Sequence, residues 1–112
     1  MAKFDDLLAQ AREQNPRVRP VTIHIPSSDP VQVAVRPATL AEYNAWKTQS
    51  NSPSDQISGQ ANAQLFRFCC VVPDPKSAEF DQLLREYPGI SDTVAASIKS
   101  LSGLSIRAEV GE

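Results

Sequence analysis

Residues 1–17 follow a helical period. Four apolar residues recur at the i, i+3, i+4, i+7 spacing of one helix face, namely Phe4, Leu7, Leu8 and Ala11. We therefore expect an N-terminal helix within residues 1–17. It should end before Pro16, because the residue that precedes a proline avoids helical geometry.

The next stretch has a period of two. β-Branched residues recur at every second position of residues 21–25 and 31–35, and the two runs are separated by five turn-forming residues, Pro26 to Pro30. This pattern predicts a β-hairpin over residues 20–36. An isolated hairpin is only marginally stable in water, so its Val and Ile face should pack against helices.

A helical period returns after the hairpin. Thr39 and Glu42 have the spacing of a capping box at a helix start. The apolar stripe of this short helix consists of Leu40, Tyr43 and Trp46. A polar loop over residues 48–58 should follow it, because this stretch is rich in Ser, Asn and Pro.

The second half of the chain predicts three more helices. The longest should be central, and its stripe consists of Ile57, Ala61, Leu65, Phe68 and Val72. The next should begin with Asp74 as its N-cap. The last should begin with Ser91 or Asp92 as its N-cap and end at Gly103.

These elements define the expected fold class. The chain should be α+β and mainly α, with an N-terminal helix, one β-hairpin and about four helices packed around a single core. Its 112 residues suit one domain over 1–112. That domain would comprise the N-terminal helix (1–17), the hairpin (20–36), a helical region (39–103) and a flexible tail (104–112).

Charge and composition exclude several classes of function. The 11 basic and 13 acidic residues are dispersed and form no basic block, which argues against nucleic acid as a partner. The longest apolar stretch, residues 68–72, is too short to span a membrane. The start of the chain lacks the apolar core of a secretory signal. Together with two adjacent, unbridged cysteines, these features favour the cytoplasm.

The chain offers few residues for catalysis. Its one histidine, His24, lies in the middle of a predicted strand, and its two cysteines, Cys69 and Cys70, lack the spacing of a metal or redox pair. The isolated glycines form no phosphate-binding loop. We therefore expect no catalytic residues, no cofactor, no metal and no enzymatic activity.

Large aromatic side chains are the remaining candidates for a functional role. Such residues are usually part of a core, and that alternative applies to all of them. The functional alternative is that they border a groove that receives the helix of another protein. The candidate partner-binding residues are Tyr43, Trp46, Phe66 and Tyr87.

Three stretches of the chain resemble a known family. They are Val35 to Trp46, then Cys70-Val71-Val72-Pro73-Asp74, then Glu79 to Pro88, which is followed by a last helix that ends in Gly. Their pattern and order over residues 31–103 are similar to those of tail assembly chaperones of long-tailed phages and prophages, which often carry a VVxPD…EFxxLLxxYP stretch. The N-terminal helix has no counterpart in this resemblance.

The resemblance implies a mechanism. Such chaperones bind the long helical tape-measure protein in the bacterial cytoplasm, prevent its aggregation, and are displaced as tail-tube protein polymerises around it. Self-association would help a small domain to line a long client. Two other hypotheses remain: a structural tail, head–tail connector or baseplate protein that stays in the virion, and a small hydrolase that uses His24 with Cys69 or Cys70.

Overall fold

The computed structural model describes residues 3–103. The architecture is α+β and mainly helical, as predicted. In the described part of the chain, the N-terminal helix and the hairpin are followed by five helices, one of which is a single turn. A short third strand joins the sheet. The elements are α1 (Phe4–Gln14), β1 (Arg19–Ile23), β2 (Val31–Val35), α2 (Leu40–Ser50), α3 (Asp55–Ser58), α4 (Ala61–Cys69), β3 (Cys70–Val72), α5 (Ala78–Glu86) and α6 (Ile90–Leu101).

The predicted hairpin is present. β1 and β2 pair antiparallel, with Val21 opposite Val33 and Ile23 opposite Val31. Ile23 and Val33 are buried, whereas Thr22 and Gln32 on the other face are exposed. The alternation therefore identified the inward face of both strands correctly. The predicted tail, residues 104–112, lies outside the described residues.

The long central helix predicted for residues 57–72 is wrong at both ends. Its first turn is the separate helix α3, because the chain turns at Gly59 and glycine is a poor helix former. Its last three residues form β3, which pairs antiparallel with β2. Two β-branched residues precede Pro73, and this combination favours extended backbone. The sheet consequently has three strands in the order β1-β2-β3.

Two predicted helix starts are also wrong. α5 begins at Ala78, and the hydroxyl of Ser77 accepts a hydrogen bond from the amide of Phe80, 3.3 Å away. Asp74 instead accepts from the amide of Lys76 in the preceding turn. α6 begins at Ile90 after Gly89, without a side-chain cap. Its end agrees with the prediction, since Gly103 follows the C-cap with φ 103°, a conformation that favours glycine.

The core lies between the Val/Ile face of the sheet and helices α4, α5 and α6. Phe66 and Phe80 are fully buried at its centre, with ring centroids 4.8 Å apart. The guanidinium of Arg67 lies 4.8 Å from the centroid of the Phe80 ring. The other members of this cluster are Ile23, Val33, Val35, Leu65, Cys69, Cys70, Ile90, Val94, Ala95 and Ile98.

The N-terminal helix α1 lies beside the edge strand β3. Ala34 is fully buried but points away from Val33 and Val35, and its register partner on β3 is Val72. Val72 lines two hollows beside α1. No residue of α1 itself is fully buried. The N-terminal helix therefore packs beside the edge strand, while Thr22 and Gln32 on the outer face of the sheet are exposed.

Candidate protein-binding surface

The start of α2 is fixed by the predicted capping box. The Thr39 hydroxyl accepts from the Glu42 amide at 3.2 Å, and the Glu42 carboxylate accepts from the Thr39 amide at 2.9 Å. Two amides that the helix itself leaves without partners are thus satisfied. This arrangement sets the direction in which α2 leaves the sheet.

An arginine joins α2 to the rest of the molecule. Arg36, just after β2, donates through both terminal nitrogens to the two carboxylate oxygens of Glu42, at 2.7 and 2.8 Å. It also donates to the carbonyl of Phe68 near the end of α4, at 2.7 Å. Hydrogen bonding by the guanidinium holds the pKa of Glu42 below its ordinary value. The ion pair consequently connects the sheet, α2 and α4.

The inner side of α2 is held by a second polar network. Trp46 donates from its indole Nε1 to Asn62 at 2.9 Å, and Asn62 donates to Asp92 at 2.8 Å. The ammonium of Lys99 lies 4.5 Å from the Trp46 ring centroid, close enough for a cation–π contact. Tyr43 packs on the same indole, with ring centroids 5.9 Å apart. These contacts connect α2 to α4 and α6.

The four predicted partner-binding residues occupy different environments. Phe66 is completely buried against Phe80, so the prediction that it borders a surface groove is wrong. Trp46 and Tyr87 are half-buried and pack against the core. Tyr43 lines a hollow at the start of α2. The structure therefore does not bring the four together into one groove.

The outer side of α2 carries an exposed surface that the sequence analysis missed. Leu40 is 77% exposed and Ile57, on α3, is 48% exposed. Between them α2 presents only small or uncharged side chains. We call this the α2–α3 surface; it consists of Leu40, Ala41, Asn44, Ala45, Thr48 and Ile57.

Two hollows give the α2–α3 surface its shape. One is a shallow, open depression that runs along α2 to Ile57, and the other, of about 320 Å³, lies beside Leu40 and Tyr43. None of the residues that line either hollow is charged. The exposed apolar side chains Leu40 and Ile57 lie at the two ends of this surface, with small or uncharged side chains between them.

The sequence carries no apolar stripe that would indicate this surface, because Asn44 and Thr48 alternate with Ala41 and Ala45 along it. The residues of α2 that the sequence predicts as candidates for partner binding are Tyr43 and Trp46 instead. Leu40 belongs to the predicted stripe of Tyr43 and Trp46, yet it lies in the first turn, beyond the edge of the core.

The candidate catalytic residues do not form a site. Cys69 and Cys70 are free and buried, and burial raises the pKa of their thiols to about 11 and about 12. A nucleophilic cysteine needs an accessible thiolate, which these positions do not provide. His24 is exposed at the end of β1. Within residues 3–103, no group of three metal-binding side chains comes together.

Comparison with known proteins gives no relative. No family model, no curated protein and no solved structure matches the chain. Over the described residues, every helix is too short or too polar to traverse a lipid bilayer.

Proposed function

We propose that the chain is a non-catalytic protein-binding module that acts as a tail assembly chaperone of a long-tailed phage. In this role it binds apolar helical segments of the tape-measure protein in the host cytoplasm and keeps them from aggregating. Polymerising tail-tube protein then displaces it. The α2–α3 surface is the proposed site for the tape-measure protein.

The exposed, uncharged α2–α3 surface carries the proposal. A capping box and two polar networks hold α2 in place, although no residue of α2 is fully buried. Among the described residues, its outer side is therefore exposed while its inner side is held in place. Small side chains at Ala41 and Ala45 allow a partner helix to approach closely, while Leu40 and Ile57 offer apolar contacts at either end.

The residues of the sequence resemblance support the same role. Its Arg-Pro and capping segments, Arg36 to Glu42, build the start of α2 in the structure. The Cys70 to Asp74 segment forms β3 and the turn after it. The net charge of −2 is compatible with a client that is neutral or basic.

The test is co-expression of the full chain with the tape-measure protein encoded beside it. We expect the wild-type chain to keep the tape-measure protein soluble and to co-elute with it. Ala45→Asp places a carboxylate in the middle of the α2–α3 surface, and an unpaired charge at an apolar contact should weaken binding at least about tenfold. Ala96→Asp makes the same change at an exposed position of α6 and should bind like wild type.

Two results would contradict the proposal. One is a tape-measure protein that stays insoluble in the presence of the wild-type chain. The other is equal binding by the Ala45→Asp and Ala96→Asp variants, since the site would then lie elsewhere. Mass spectrometry of purified particles addresses the competing structural role, because a chaperone is absent from mature virions and a tail, connector or baseplate protein is present.

A further inference from the structure

The end of α6 lies beside the start of α2. The hydroxyl of Ser102, the C-cap residue of α6, accepts a hydrogen bond from the Ala38 amide at 2.8 Å and donates one to the Ile98 carbonyl at 2.7 Å. These two hydrogen bonds hold Gly103, the last described residue, against the connection that leads into α2. The chain beyond Gly103 therefore starts next to the α2–α3 surface.

A hollow of about 320 Å³ lies at this point. We call it the Leu40 hollow; it is lined by Ala38, Thr39, Leu40, Tyr43, Ser102 and Gly103. Leu40 is 77% exposed, more than any other large apolar side chain of the described residues. Since an apolar cavity of about 150 Å³ accommodates a benzene-sized group, the hollow has room for about two large side chains. Its uncharged lining favours apolar ones.

The residues that follow Gly103 have the pattern of such an occupant. Apolar and polar residues alternate over positions 104–111, and the apolar ones are Leu104, Ile106, Ala108 and Val110. In an extended segment, every second side chain points to the same face. This segment therefore has one apolar face, which matches the lining of the Leu40 hollow, and one polar face for solvent.

The segment also has the length and the direction to reach the surface. Seven extended residues span about 23 Å, whereas α2 rises only about 12 Å from Leu40 to Thr48. Gly103 has φ 103°, and after a left-handed glycine at a helix end the next residue commonly makes an apolar contact with the last turn. Leu104 is thereby directed back onto the protein, and Ile106 follows it at the hollow.

We propose that residues 104–110 of the same chain occupy the Leu40 hollow through Leu104 and Ile106, and cover Leu40 until a client displaces them. The segment is joined to the hollow at Gly103, so its effective concentration there is on the order of millimolar, which favours it over a second copy. Displacement by a client rests on the proposed function. Occupancy in about nine chains of ten would weaken the apparent affinity for the client about tenfold.

Nuclear magnetic resonance of the full chain with labelled methyl groups tests the contact. In wild type we expect nuclear Overhauser effects from the methyl groups of Leu104 and Ile106 to the ring of Tyr43. Ile106→Asp puts an unpaired carboxylate on the apolar face and should abolish the signal between Leu104 and Tyr43. Ser105→Asp adds the same charge to the polar face and should preserve it.

Three results would overturn the contact. The first is a wild-type chain that shows no signal between residues 104–110 and Tyr43. The second is an equal loss of the signal in Ile106→Asp and Ser105→Asp. The third is a signal that arises only between a labelled and an unlabelled copy, because the occupant would then be a second chain.

Affinity for the tape-measure protein tests the displacement. We expect Ile106→Asp to bind about tenfold more tightly than wild type, and Ser105→Asp to bind like wild type. Equal affinity of Ile106→Asp and wild type overturns the displacement. A failure of all three chains to bind contradicts the proposed function, and the displacement with it, but not the occupancy of the Leu40 hollow, which the resonance experiment alone decides.

Discussion

Neutralising Glu42 should destabilise the protein by an amount that can be worked out from its hydrogen bonds. Glu42→Gln preserves the shape of the side chain and removes the charge that Arg36 contacts at 2.7 and 2.8 Å. Hydrogen bonds to charged groups contribute about 1.5–3 kcal/mol. Since the two side chains are 28% and 20% exposed, solvent screening lowers the expected loss to about 1–1.5 kcal/mol at pH 7, at or just below this range.

The pH dependence of this loss has a definite sign. The pKa of Glu42 in the folded chain lies below its ordinary value of 4.5, because Arg36 donates hydrogen bonds to the ionised carboxylate. The native state therefore releases this proton more readily than the unfolded state. The stabilisation is fully present above about pH 5 and is lost as the pH falls through the folded pKa of Glu42. Below that pH, wild type and Glu42→Gln should be equally stable to within a few tenths of a kcal/mol.

Urea denaturation from pH 7 to pH 3, followed by circular dichroism, measures this difference. Glu13→Gln serves as a control, because it neutralises an exposed carboxylate of α1 that makes no ion pair among the described residues. If the free energy of unfolding of Glu42→Gln differs from that of wild type by the same amount at every pH, the ion pair is not the cause. The same conclusion follows if the control shows an equal pH dependence.

Two further predictions concern the hairpin and the cysteines. Ser27 has φ 60° in the connection after Pro26, where glycine is favoured, so Ser27→Gly should raise the free energy of unfolding by about 0.5–1 kcal/mol in urea denaturation; a decrease would contradict the assigned backbone strain. The thiols of Cys69 and Cys70 are buried and protonated at pH 8, so iodoacetamide should label them at least about a hundredfold more slowly in the native chain than in urea, as followed by mass spectrometry. Native labelling at the unfolded rate would show that these thiols are accessible.

The sequence correctly predicts the elements that depend only on residues close together in the chain. The spacing of Thr39 and Glu42 is sufficient for a capping box, and alternation in residues 20–36 is sufficient for a hairpin, because both need only neighbouring residues. For residues 70–72 the sequence predicts a helix, whereas they form strand β3. Its apolar residues fit either period, and pairing with β2, far away in sequence, decides the outcome.

The candidate surface was harder to predict than the fold. Exposure of Leu40 depends on where the core ends relative to the first turn of α2, which is a tertiary property. Phe66 shows the opposite error: it lies off the stripe expected for its helix, but α5 places Phe80 against it and buries it. Sequence periods identify a helix face, whereas the neighbouring elements determine whether that face is covered.

Different residues of α2 determine the stability of the fold and the proposed binding at the α2–α3 surface. Core helices such as α4 and α6 are held by buried apolar side chains, so a change on their inner face alters folding. α2 has no fully buried residue and depends on hydrogen bonds made by Glu42 and Trp46. Packing of the core therefore does not constrain which side chains stand on the outer side of α2. Changes at Ala45 should therefore alter binding with little effect on unfolding, whereas Glu42→Gln should reduce stability and leave the chemistry of the α2–α3 surface intact.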